Sequence, residues 1–522
     1  MPGGAAVETA SHCLHSGRVK SLLLSFLAGL AAACGFQPWG VWPLTLLGFA
    51  VLLALIDDAP RLRSALARGW WFAVGHFTLG LNWIATAFTY QAAMPAWLGW
   101  VAVVLLSLYL AVYPAMAAGL AWRFGRGRSV VLVLIFAAGW IATEWLRATM
   151  FTGFAWNPVG VTLIDTPVAY LATVVGTYGL SGVAMLIAGV LLLLYRRAWR
   201  PAFFLGGLIA LETVLSLLGS APEEGKAQLA LRIVQPNIGQ ENKWRPGFAE
   251  AMVKRLGELS NVGANEPRLL LWPEAAVTEP LEDGRKDLLA QRDVAYARRY
   301  VQAQLGPRDL LLTGGITIQS RNGERATSAT NSVFAIDGQG RILSRYDKAH
   351  LVPYGEYLPM RPFLSALGLS RLAPGDLDFD PGPGPRTLDL PLVGKAGFQL
   401  CYEIIFSGEV VDRKNRPAFL FNPSNDAWFG AWGPPQHLAQ ARLRALEEGL
   451  PVLRSTPTGI SAVIDAEGRL LHSLPWRTAG VIDARLPLPR IPTGFAQAGN
   501  VLPFLFALLL AAVAIALRRK GR

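Results

Sequence analysis

Cys401 is the residue best placed for covalent chemistry in this sequence, and it lies in the stretch 397–406 (GFQLCYEIIF). An apolar run leads into the cysteine, and the segment 407–413 behind it is helix-like. The pattern predicts a strand, a tight turn and a helix, an arrangement that lifts the thiol off a sheet edge and favours its thiolate. On this stretch alone, a buried cysteine that acts as a small hydrophobic residue is the simpler interpretation.

Two other segments could supply the groups that a nucleophilic cysteine requires. Glu274 follows an apolar run in 271–275 (LWPEA), and Lys348 and Glu356 lie within 346–356 (YDKAHLVPYGE). A carboxylate can take the thiol proton, and an ammonium group can stabilise the oxyanion of an acylation step. Each of these charges taken alone is typical of a solvated surface. The prediction therefore depends on their occurring together with the cysteine.

The remaining cysteines favour neither disulfides nor metal binding. Cys13 precedes the first apolar run and Cys34 lies within it, so Cys401 is the one cysteine in the polar part of the sequence. The sequence has no metal-ligand spacing, P-loop or dinucleotide fingerprint. It therefore predicts chemistry without a metal or another cofactor.

The elements that must position these residues include a large membrane part. The chain has 522 residues, of which 52% are hydrophobic, and its mean hydropathy is +0.35. This is too apolar for one soluble domain of such length. A helix that crosses a bilayer needs about 20 apolar residues. Eight runs meet or approach that length, at 19–36, 41–56, 69–90, 97–121, 129–147, 167–195, 201–218 and 498–517.

The charges indicate how these runs are oriented. The formal net charge is +12, and the basic surplus lies in short segments beside apolar runs, at 1–20, 57–68, 122–128, 196–200 and 518–522. Because basic connections face the cytoplasm, both termini are predicted to be cytoplasmic and 219–497 to lie outside. This placement argues against a nucleic-acid surface. A cleaved signal peptide is an alternative for the first run, which we interpret as an uncleaved span.

The polar region 219–490 has the pattern of an α/β domain. Short β-rich runs occur at 229–234, 269–272, 309–318, 332–336, 393–400, 418–422 and 460–464, and helical patterns at 247–261, 285–305 and 435–449. The turns DGQG (337–340) and DAEG (465–468) predict hairpins, so the sheet should be mixed. The predicted domains are 1–218, a transmembrane domain of seven helices; 219–490, an extracytoplasmic domain; and 491–522, an eighth transmembrane helix with a basic cytoplasmic tail.

Glu274, Lys348 and Cys401, in this order, resemble the Glu–Lys–Cys set of the nitrilase (carbon–nitrogen hydrolase) superfamily. The apolar runs narrow the resemblance to the apolipoprotein N-acyltransferase family, the membrane members of that superfamily. The match covers nearly the whole chain, with motifs at WPE (272–274), 346–356, CYE (401–403), NDAWFG (425–430), QH (436–437) and TGISA (458–462). The resemblance implies a polytopic α-helical membrane domain with eight transmembrane helices and a nitrilase-like α/β domain folded as an α-β-β-α sandwich.

The resemblance also implies roles for individual residues. Glu274 would be the general base, Lys348 the oxyanion-stabilising group and Cys401 the acylated nucleophile. Three residues would support this site, namely Glu356, Tyr402 and Glu403. Four would contact substrate, namely Trp244, Asn331, Gly153 and Trp156. Two positions that flank the site depart from the family's pattern, Ala275 where Ser or Thr is usual, and Pro457, near which Asn is usual.

The implied reaction moves a fatty acyl group from a membrane phospholipid, through a thioester on Cys401, to the α-amino group of the N-terminal diacylglyceryl-cysteine of apolipoproteins. Its implied setting is the bacterial inner membrane, with a monomeric enzyme, a periplasmic catalytic domain and no nucleic-acid partner. A lone thiol in an oxidising compartment is easier to explain by reactivity than by packing. The segment 357–374 could be a lid that dips into lipid or an ordinary packed loop.

Three other interpretations remain open on the sequence. A membrane-anchored, nitrilase-type amidase that hydrolyses a carbon–nitrogen bond would use the same three residues, although it would need one anchor rather than eight spans. A transporter or scaffold could carry an inactive domain as a binding module. A Cys–His enzyme could use His350 or His437 as its base, which would leave the lysine and the two glutamates without a role.

Overall fold

The computed structural model describes residues 4–90, 95–219, 229–239, 247–260, 267–366 and 377–520, with side chains from residue 18 onward. The chain divides into two compact units. The first comprises 1–82, 100–220 and 498–522, and the second comprises 83–99 and 221–497. The three residues predicted to carry the chemistry all belong to the second unit.

Helices make up the first unit and part of the second. Long apolar runs favour helices because a helix satisfies its backbone hydrogen bonds internally. The α-helices in the described part of the chain are α1 Gly4–Ala33, α2 Trp42–Asp57, α3 Leu62–Gly80, α4 Ile84–Ala87, α5 Leu98–Leu110, α6 Val112–Gly125, α7 Ser129–Thr149, α8 Ala172–Tyr195, α9 Trp199–Leu218, α10 Phe248–Ser260, α11 Leu288–Gln302, α12 Arg361–Ala366, α13 Gly433–Glu448, α14 Gly494–Ala498 and α15 Val501–Lys520.

Helices lie at all the runs predicted to cross a bilayer, but fewer have the length and composition to do so. Five stretches among the described residues qualify, at Leu98–Gly125, Ser129–Thr149, Pro167–Tyr195, Trp199–Leu218 and Val501–Lys520. Helix α2 is apolar but short, and α3 carries Arg63, Arg68 and His76 among its apolar residues. The count of eight spans therefore stays a prediction.

The second unit contains two mixed β-sheets. Its strands are β1 Ala230–Gln235, β2 Arg268–Leu271, β3 Pro280–Asp283, β4 Asp309–Gln319, β5 Ser328–Asp337, β6 Ile342–Asp347, β7 Thr387–Leu390, β8 Gly394–Phe398, β9 Phe419–Pro423, β10 Val452–Ser455, β11 Ala462–Ile464, β12 Leu470–Ser473 and β13 Gly480–Arg485. The first sheet has the order β13-β1-β2-β4-β5-β6, with β3 paired to β4, and the second has the order β12-β11-β10-β9-β8-β7. Strands β1, β2 and β4 are parallel neighbours, as are β8, β9 and β10. Their carboxyl ends therefore meet at one edge of each sheet.

The two sheets pack face to face around an apolar core. Alternate residues of a strand share a face, and one buried cluster joins Leu231, Leu269 and Leu312 of the first sheet to Phe398 and Phe421 of the second. A separate cluster covers the other face of the first sheet with side chains of α10 and α11. Helix α13 lies against β10 of the second sheet. The layers are therefore α-β-β-α, as the resemblance implied.

Most of the elements predicted in this unit are present. Each predicted β-rich run contains a strand, the three helical patterns occur as α10, α11 and α13, and both hairpins form. The predicted helix at 407–413 is wrong, because this segment consists of turns and bends, with Gly408 at a φ of 80°. The chain instead forms one 3₁₀ turn, Cys401–Ile405, in which the Glu403 carboxylate accepts the Leu400 N–H at 2.7 Å. This bond is the capping-box contact that closes the start of the 3₁₀ turn.

Candidate active site

The three predicted catalytic residues follow the ends of three different strands. Glu274 comes after β2, Lys348 after β6 and Cys401 after β8. The two sheets are joined close to these ends, because the buried Ser455 hydroxyl at the end of β10 lies 3.3 Å from the Leu271 carbonyl at the end of β2. The topology therefore brings together side chains that are far apart in sequence.

Cys401 sits in the tight turn that its sequence predicted. Its φ of 49° lies in the left-handed region, which residues with a Cβ rarely adopt. Its carbonyl oxygen is 3.0 Å from His437 Nε2 and 3.4 Å from Asn422 Nδ2, and its sulfur accepts a hydrogen bond from the backbone of Asn425. Contacts on both sides thus hold Cys401 in a strained conformation, a feature that is concentrated at functional sites.

Lys348 is held between two glutamates. Its Nζ lies 2.9 Å from Glu356 Oε2 and 3.7 Å from Glu274 Oε1. Asn331 Nδ2 donates to Oε1 of both carboxylates, at 2.8 Å to Glu274 and 2.9 Å to Glu356. Because the lysine side chain is only 1% exposed, these partners rather than water compensate its charge. Glu356 therefore fixes the direction of the lysine, and Asn331 fixes both carboxylates.

Glu274 keeps one oxygen free for chemistry. Whereas Oε1 accepts from Asn331, Oε2 is buried and has no hydrogen-bond partner among the described residues. The chain can lie close to β4 here because Gly314 has no side chain; a Cβ there would come within 2.7 Å of the Glu274 Cα. Buried polar atoms are normally paired, so an unpaired carboxylate oxygen beside a thiol has the properties of a general base.

The charges around Cys401 favour a neutral thiol in the resting enzyme. Burial raises the pKa of the thiol well above its ordinary value and the Glu274 carboxylate raises it further, while Lys348 opposes both. Burial acts to lower the pKa of Lys348, but the carboxylates of Glu356 and Glu274 outweigh it, and the pKa lies above its ordinary value. The lysine stays charged, and the expectation of a thiolate stabilised by a helix N-terminus is wrong. The thiol must lose its proton to a base when it attacks.

Glu403 fastens the segment after β6 to the Cys401 turn. Its Oε1 accepts the backbone N–H of Ala349 at 2.7 Å and of His350 at 3.0 Å. The Tyr346 hydroxyl donates to the same carboxylate at 3.0 Å. Burial raises the pKa of Glu403 to about 7 although the backbone donors oppose the shift. This carboxylate joins the strand end that carries the lysine to the one that carries the nucleophile.

A fully buried network behind Cys401 was not predicted. His437 of α13 places Nδ1 3.0 Å from Asp426 Oδ1 and Nε2 against the Cys401 carbonyl. Arg454 Nη2 lies 2.6 Å from Asp426 Oδ2. Burial and the Arg454 charge lower the pKa of His437. Because both ring nitrogens face groups other than the sulfur, this geometry argues against His437 as the base of a Cys–His enzyme. The motifs NDAWFG and QH contain Asp426 and His437 and could have indicated part of this network, but Arg454 lies outside both motifs.

The other predicted site residues of this unit have mixed outcomes. Tyr402 is buried, with its ring 5.2 Å from that of Phe406. The His350 ring stacks on Phe406 at 3.7 Å. Asn331 uses its amide nitrogen to orient the two glutamates, and its implied contact with substrate stays a prediction. Trp244 lies outside the described residues, as does part of the predicted lid segment.

Gly153 and Trp156 belong to the first unit, in the loop after α7. Glu144 and Arg147 form an ion pair near the end of α7, with 4.0 Å between Arg147 Nη2 and Glu144 Oε1. Arg147 Nη1 donates to the Trp156 carbonyl at 2.8 Å, and Glu144 Oε1 accepts the Val159 N–H at 2.9 Å. Gly153 has a φ of 68°, and Trp156 is fully buried. The ion pair thus fixes this loop, and the substrate contacts implied for it stay predictions.

The groups gathered around Cys401 suit nucleophilic and acid–base chemistry. They are a thiol in a strained turn, a carboxylate with an unpaired oxygen and an ammonium group that stays charged. Within the described ranges, no group of three or more His, Cys, Asp or Glu side chains could hold a metal ion. The arrangement can form and resolve a covalent acyl intermediate with these three side chains.

The fold and the site define a class of enzyme, which family models also identify. Residues 231–493 match the carbon-nitrogen hydrolase model, and residues 28–190 match the model of the apolipoprotein N-acyltransferase N-terminal domain. The hydrolase match spans the α-β-β-α sandwich and all three predicted catalytic residues. The class is therefore an enzyme of the nitrilase superfamily whose chain also contains a helical domain of the apolipoprotein N-acyltransferase N-terminal type.

Full-length relatives narrow the class to one family. The apolipoprotein N-acyltransferases of Rhodopseudomonas palustris and Bradyrhizobium diazoefficiens are each 35% identical over 96% of this chain, and the matches cover 96% and 95% of those proteins. The apolipoprotein N-acyltransferase of Caulobacter vibrioides is 38% identical over 96% of this chain and 95% of its own. The chain belongs to the apolipoprotein N-acyltransferase family.

Proposed function

We propose that this enzyme transfers a fatty acyl group from a membrane phospholipid to the α-amino group of the N-terminal diacylglyceryl-cysteine of apolipoproteins, with a thioester on Cys401 as the intermediate. One observation carries the proposal: the unpaired Glu274 oxygen belongs to the same buried group as Lys348, and both charges act on the Cys401 thiol. The names of the full-length relatives support the choice of acceptor.

In the first step, Glu274 Oε2 accepts the thiol proton while the Cys401 sulfur attacks the ester carbonyl of the phospholipid. A sulfur–carbon bond forms, and the carbonyl oxygen becomes an oxyanion that Lys348 stabilises. Collapse of this intermediate breaks the carbon–oxygen ester bond. The proton held by Glu274 then goes to the leaving alcohol of the lysophospholipid. The raised pKa of the thiol is the reason why a base must act in this step.

In the second step, the amine of the acceptor attacks the thioester. Glu274 takes a proton from the attacking nitrogen, and Lys348 stabilises the second oxyanion. Collapse breaks the carbon–sulfur bond, leaves an amide on the acceptor and returns the proton to the Cys401 sulfur. The lysophospholipid leaves before the acceptor reacts, so the kinetics should be ping-pong.

The proposed setting follows from the apolar helices and the distribution of charge. We place the enzyme in the bacterial inner membrane as a monomer, with 1–218 as a transmembrane domain of seven helices and 491–522 as an eighth helix with a basic tail. Both termini would be cytoplasmic, and 219–490 would be the periplasmic catalytic domain. Anchoring on the outer leaflet would keep lipid substrates at high local concentration near the thiol.

Product analysis with both substrates tests the proposal. Purified enzyme is incubated with a phospholipid and a diacylglyceryl-cysteine peptide, and the products are identified by mass spectrometry. The expected product is the N-acyl peptide together with lysophospholipid. Free fatty acid without N-acyl peptide would favour a hydrolase over an acyltransferase, and activity on a soluble amide would favour the amidase.

The chain offers a matched control for the nucleophile. Cys401→Ala should abolish acyl transfer. Cys34→Ala removes a thiol that, among the described residues, bonds to the Leu30 carbonyl of α1, and this variant should keep normal acyl transfer. A scaffold or transporter would be supported if the unsubstituted enzyme shows no acyl transfer and if its binding or transport activity is kept in Cys401→Ala. Equal loss in both variants would contradict a special role for Cys401.

A further inference from the structure

A cavity of about 370 Å³ opens at the carboxyl ends of several strands in the second unit. Its walls include Asn237 after β1, Ala427 after β9, and Thr458 after β10, together with Trp476 and Arg477 from the connection between β12 and β13. The ends of parallel strands are the usual place for ligands in α/β sheets. The cavity therefore lies at the edge where the catalytic residues also emerge.

The segment that follows β9 links the cavity to Cys401. The backbone of Asn425 bonds to the Cys401 sulfur, and Ala427, two residues further along, lines the cavity. Thr456, between the end of β10 and the cavity-lining Thr458, donates its hydroxyl to Gln235 Oε1 at 3.2 Å. A ligand in this cavity would therefore lie against the segment 425–427, whose backbone bonds the thiol, within the same unit.

A buried glutamine fixes the turn that forms one wall of the cavity. Gln235 is fully buried, and its Nε2 donates to the carbonyls of Pro475 at 2.8 Å and Thr478 at 2.7 Å. These two bonds fasten both ends of the turn that carries Trp476 and Arg477. Because a buried amide with both donors satisfied is costly to rearrange, the turn presents its side chains from a fixed backbone.

Among the described residues that line the cavity, Arg477 is the one with a charge. Its guanidinium lies 4.4 Å from the ring centre of Trp476, and its backbone N–H donates to the Thr458 carbonyl at 2.8 Å. Within the part of the chain that the structure describes, Arg477 has no ion pair. Arg477 is exposed, but its guanidinium lies over the Trp476 ring and lines the cavity, whose described lining has no acidic residue. Such a group favours an anionic ligand, and its planar fork matches the oxygens of a phosphate.

We propose that this cavity binds the phosphodiester of the acyl donor's head group, with Arg477 as its cationic contact. The inference rests on the proposed function and adds to it the group by which the donor is recognised. The acceptor's diacylglyceryl-cysteine has no phosphate, so the donor is the substrate whose chemistry fits. Arg477 then increases the binding of the donor and has no part in the chemistry at Cys401.

Kinetics with two donors test the inference. Cys401 acylation is measured by mass spectrometry in detergent micelles, with either a phospholipid or a p-nitrophenyl fatty acyl ester, which has no phosphate. Arg477→Gln should raise KM for the phospholipid by about 10- to 100-fold, the range of one charge-assisted hydrogen bond, with kcat unchanged. The p-nitrophenyl ester should react at the same rate as with the unsubstituted enzyme. Arg477→Lys should recover part of the loss.

Arg386→Gln is the matched control, because Arg386 is exposed like Arg477 but is not a lining residue of the cavity, and its loss changes the net charge equally. Equal effects of Arg386→Gln and Arg477→Gln would overturn the inference, as would an unchanged KM in Arg477→Gln or an equal loss with both donors. A soluble glycerophosphodiester should compete with the phospholipid in the unsubstituted enzyme but not in Arg477→Gln. Competition by inorganic phosphate alone would assign the cavity to free phosphate instead.

The result also separates this inference from the proposed function. If the unsubstituted enzyme acylates Cys401 from both donors and Arg477→Gln has no effect, only the head-group site is wrong. If the unsubstituted enzyme forms no adduct with either donor, the proposed function itself is wrong.

Discussion

Replacing Glu274 with glutamine removes the proposed base while keeping the size of the side chain. The Gln oxygen can still accept the hydrogen bond from Asn331 Nδ2, which is 2.8 Å from Glu274 Oε1. The substitution changes the atom at the unpaired Oε2 position from a proton acceptor to an amide donor. Acylation of Cys401 must then proceed from whatever thiolate is present without a base.

The size of the effect follows from the pKa of the thiol. A cysteine with an ordinary pKa of about 8.5 is about 3% ionised at pH 7, and each unit of increase lowers that fraction about tenfold. Burial, the largest cause of the raised pKa of Cys401, remains in the variant and keeps the thiolate fraction low. We therefore expect Glu274→Gln to slow acylation by about 10²- to 10⁴-fold, which is also the usual contribution of a general base.

A second readout distinguishes a base from a merely structural residue. Because the Glu274 carboxylate raises the pKa of the Cys401 thiol, its removal should lower that pKa, and iodoacetamide should alkylate the variant at lower pH than the unsubstituted enzyme. Single-turnover acylation and the pH profile of alkylation are measured on the same samples. The exposed Glu279→Gln serves as the control. Acylation within tenfold of normal, or an unchanged alkylation profile, would refute the reasoning.

Three further predictions concern the groups around the site and one distant carboxylate. Lys348→Met should slow acylation by about 10²- to 10³-fold and lower stability by about 3 to 5 kcal/mol, because Glu274 and Glu356 lose their buried cation; single-turnover rates and thermal unfolding in detergent check this, and a stable, active variant would contradict it. His437→Ala should lower kcat about tenfold with KM unchanged, because the Cys401 carbonyl loses a contact at 3.0 Å, and His437→Gln should restore part of it; an increase in KM alone would assign the histidine another role. Burial raises the pKa of Glu448 to about 7 from 4.5, so the folded state binds the proton more tightly than the unfolded state, and this contribution, about 3 kcal/mol, is complete below pH 4.5 and lost as the pH rises through 7. Between pH 4.5 and pH 8, the free energy of unfolding should fall less for Glu448→Gln than for the unsubstituted enzyme. An equal fall in both proteins would contradict the assignment.

The sequence predicted the parts of the site that depend on short, local signals. Cys401, Glu274 and Lys348 each follow an apolar run, and each follows a strand in the structure. The β-rich runs predicted seven of the thirteen strands in the described part of the chain, and the turns DGQG and DAEG predicted two hairpins. The pairing of the strands into two sheets was not predicted from these signals. The resemblance to a family then supplied the α-β-β-α order, which composition and periodicity alone do not determine.

What the sequence did not predict depends on contacts between distant segments. The segment 407–413 has helical composition, but it consists of turns and bends in the structure, with Gly408 at a φ of 80°. The thiolate expectation failed because burial of Cys401 is a property of the packed protein. Arg454 is adjacent to Asp426 only because β9 and β10 are parallel neighbours, which no local pattern reveals.

The central claim is that the Cys401 sulfur carries the acyl group from one lipid to another, and mass spectrometry of the Cys401 peptide tests it most directly. Incubation with phospholipid alone should add the mass of one fatty acyl group to this peptide, and hydroxylamine should remove it. Addition of a diacylglyceryl-cysteine peptide should then discharge the adduct and transfer the same mass to its amine. Formation of the N-acyl peptide while Cys401 stays unmodified at every quenching time would contradict the account.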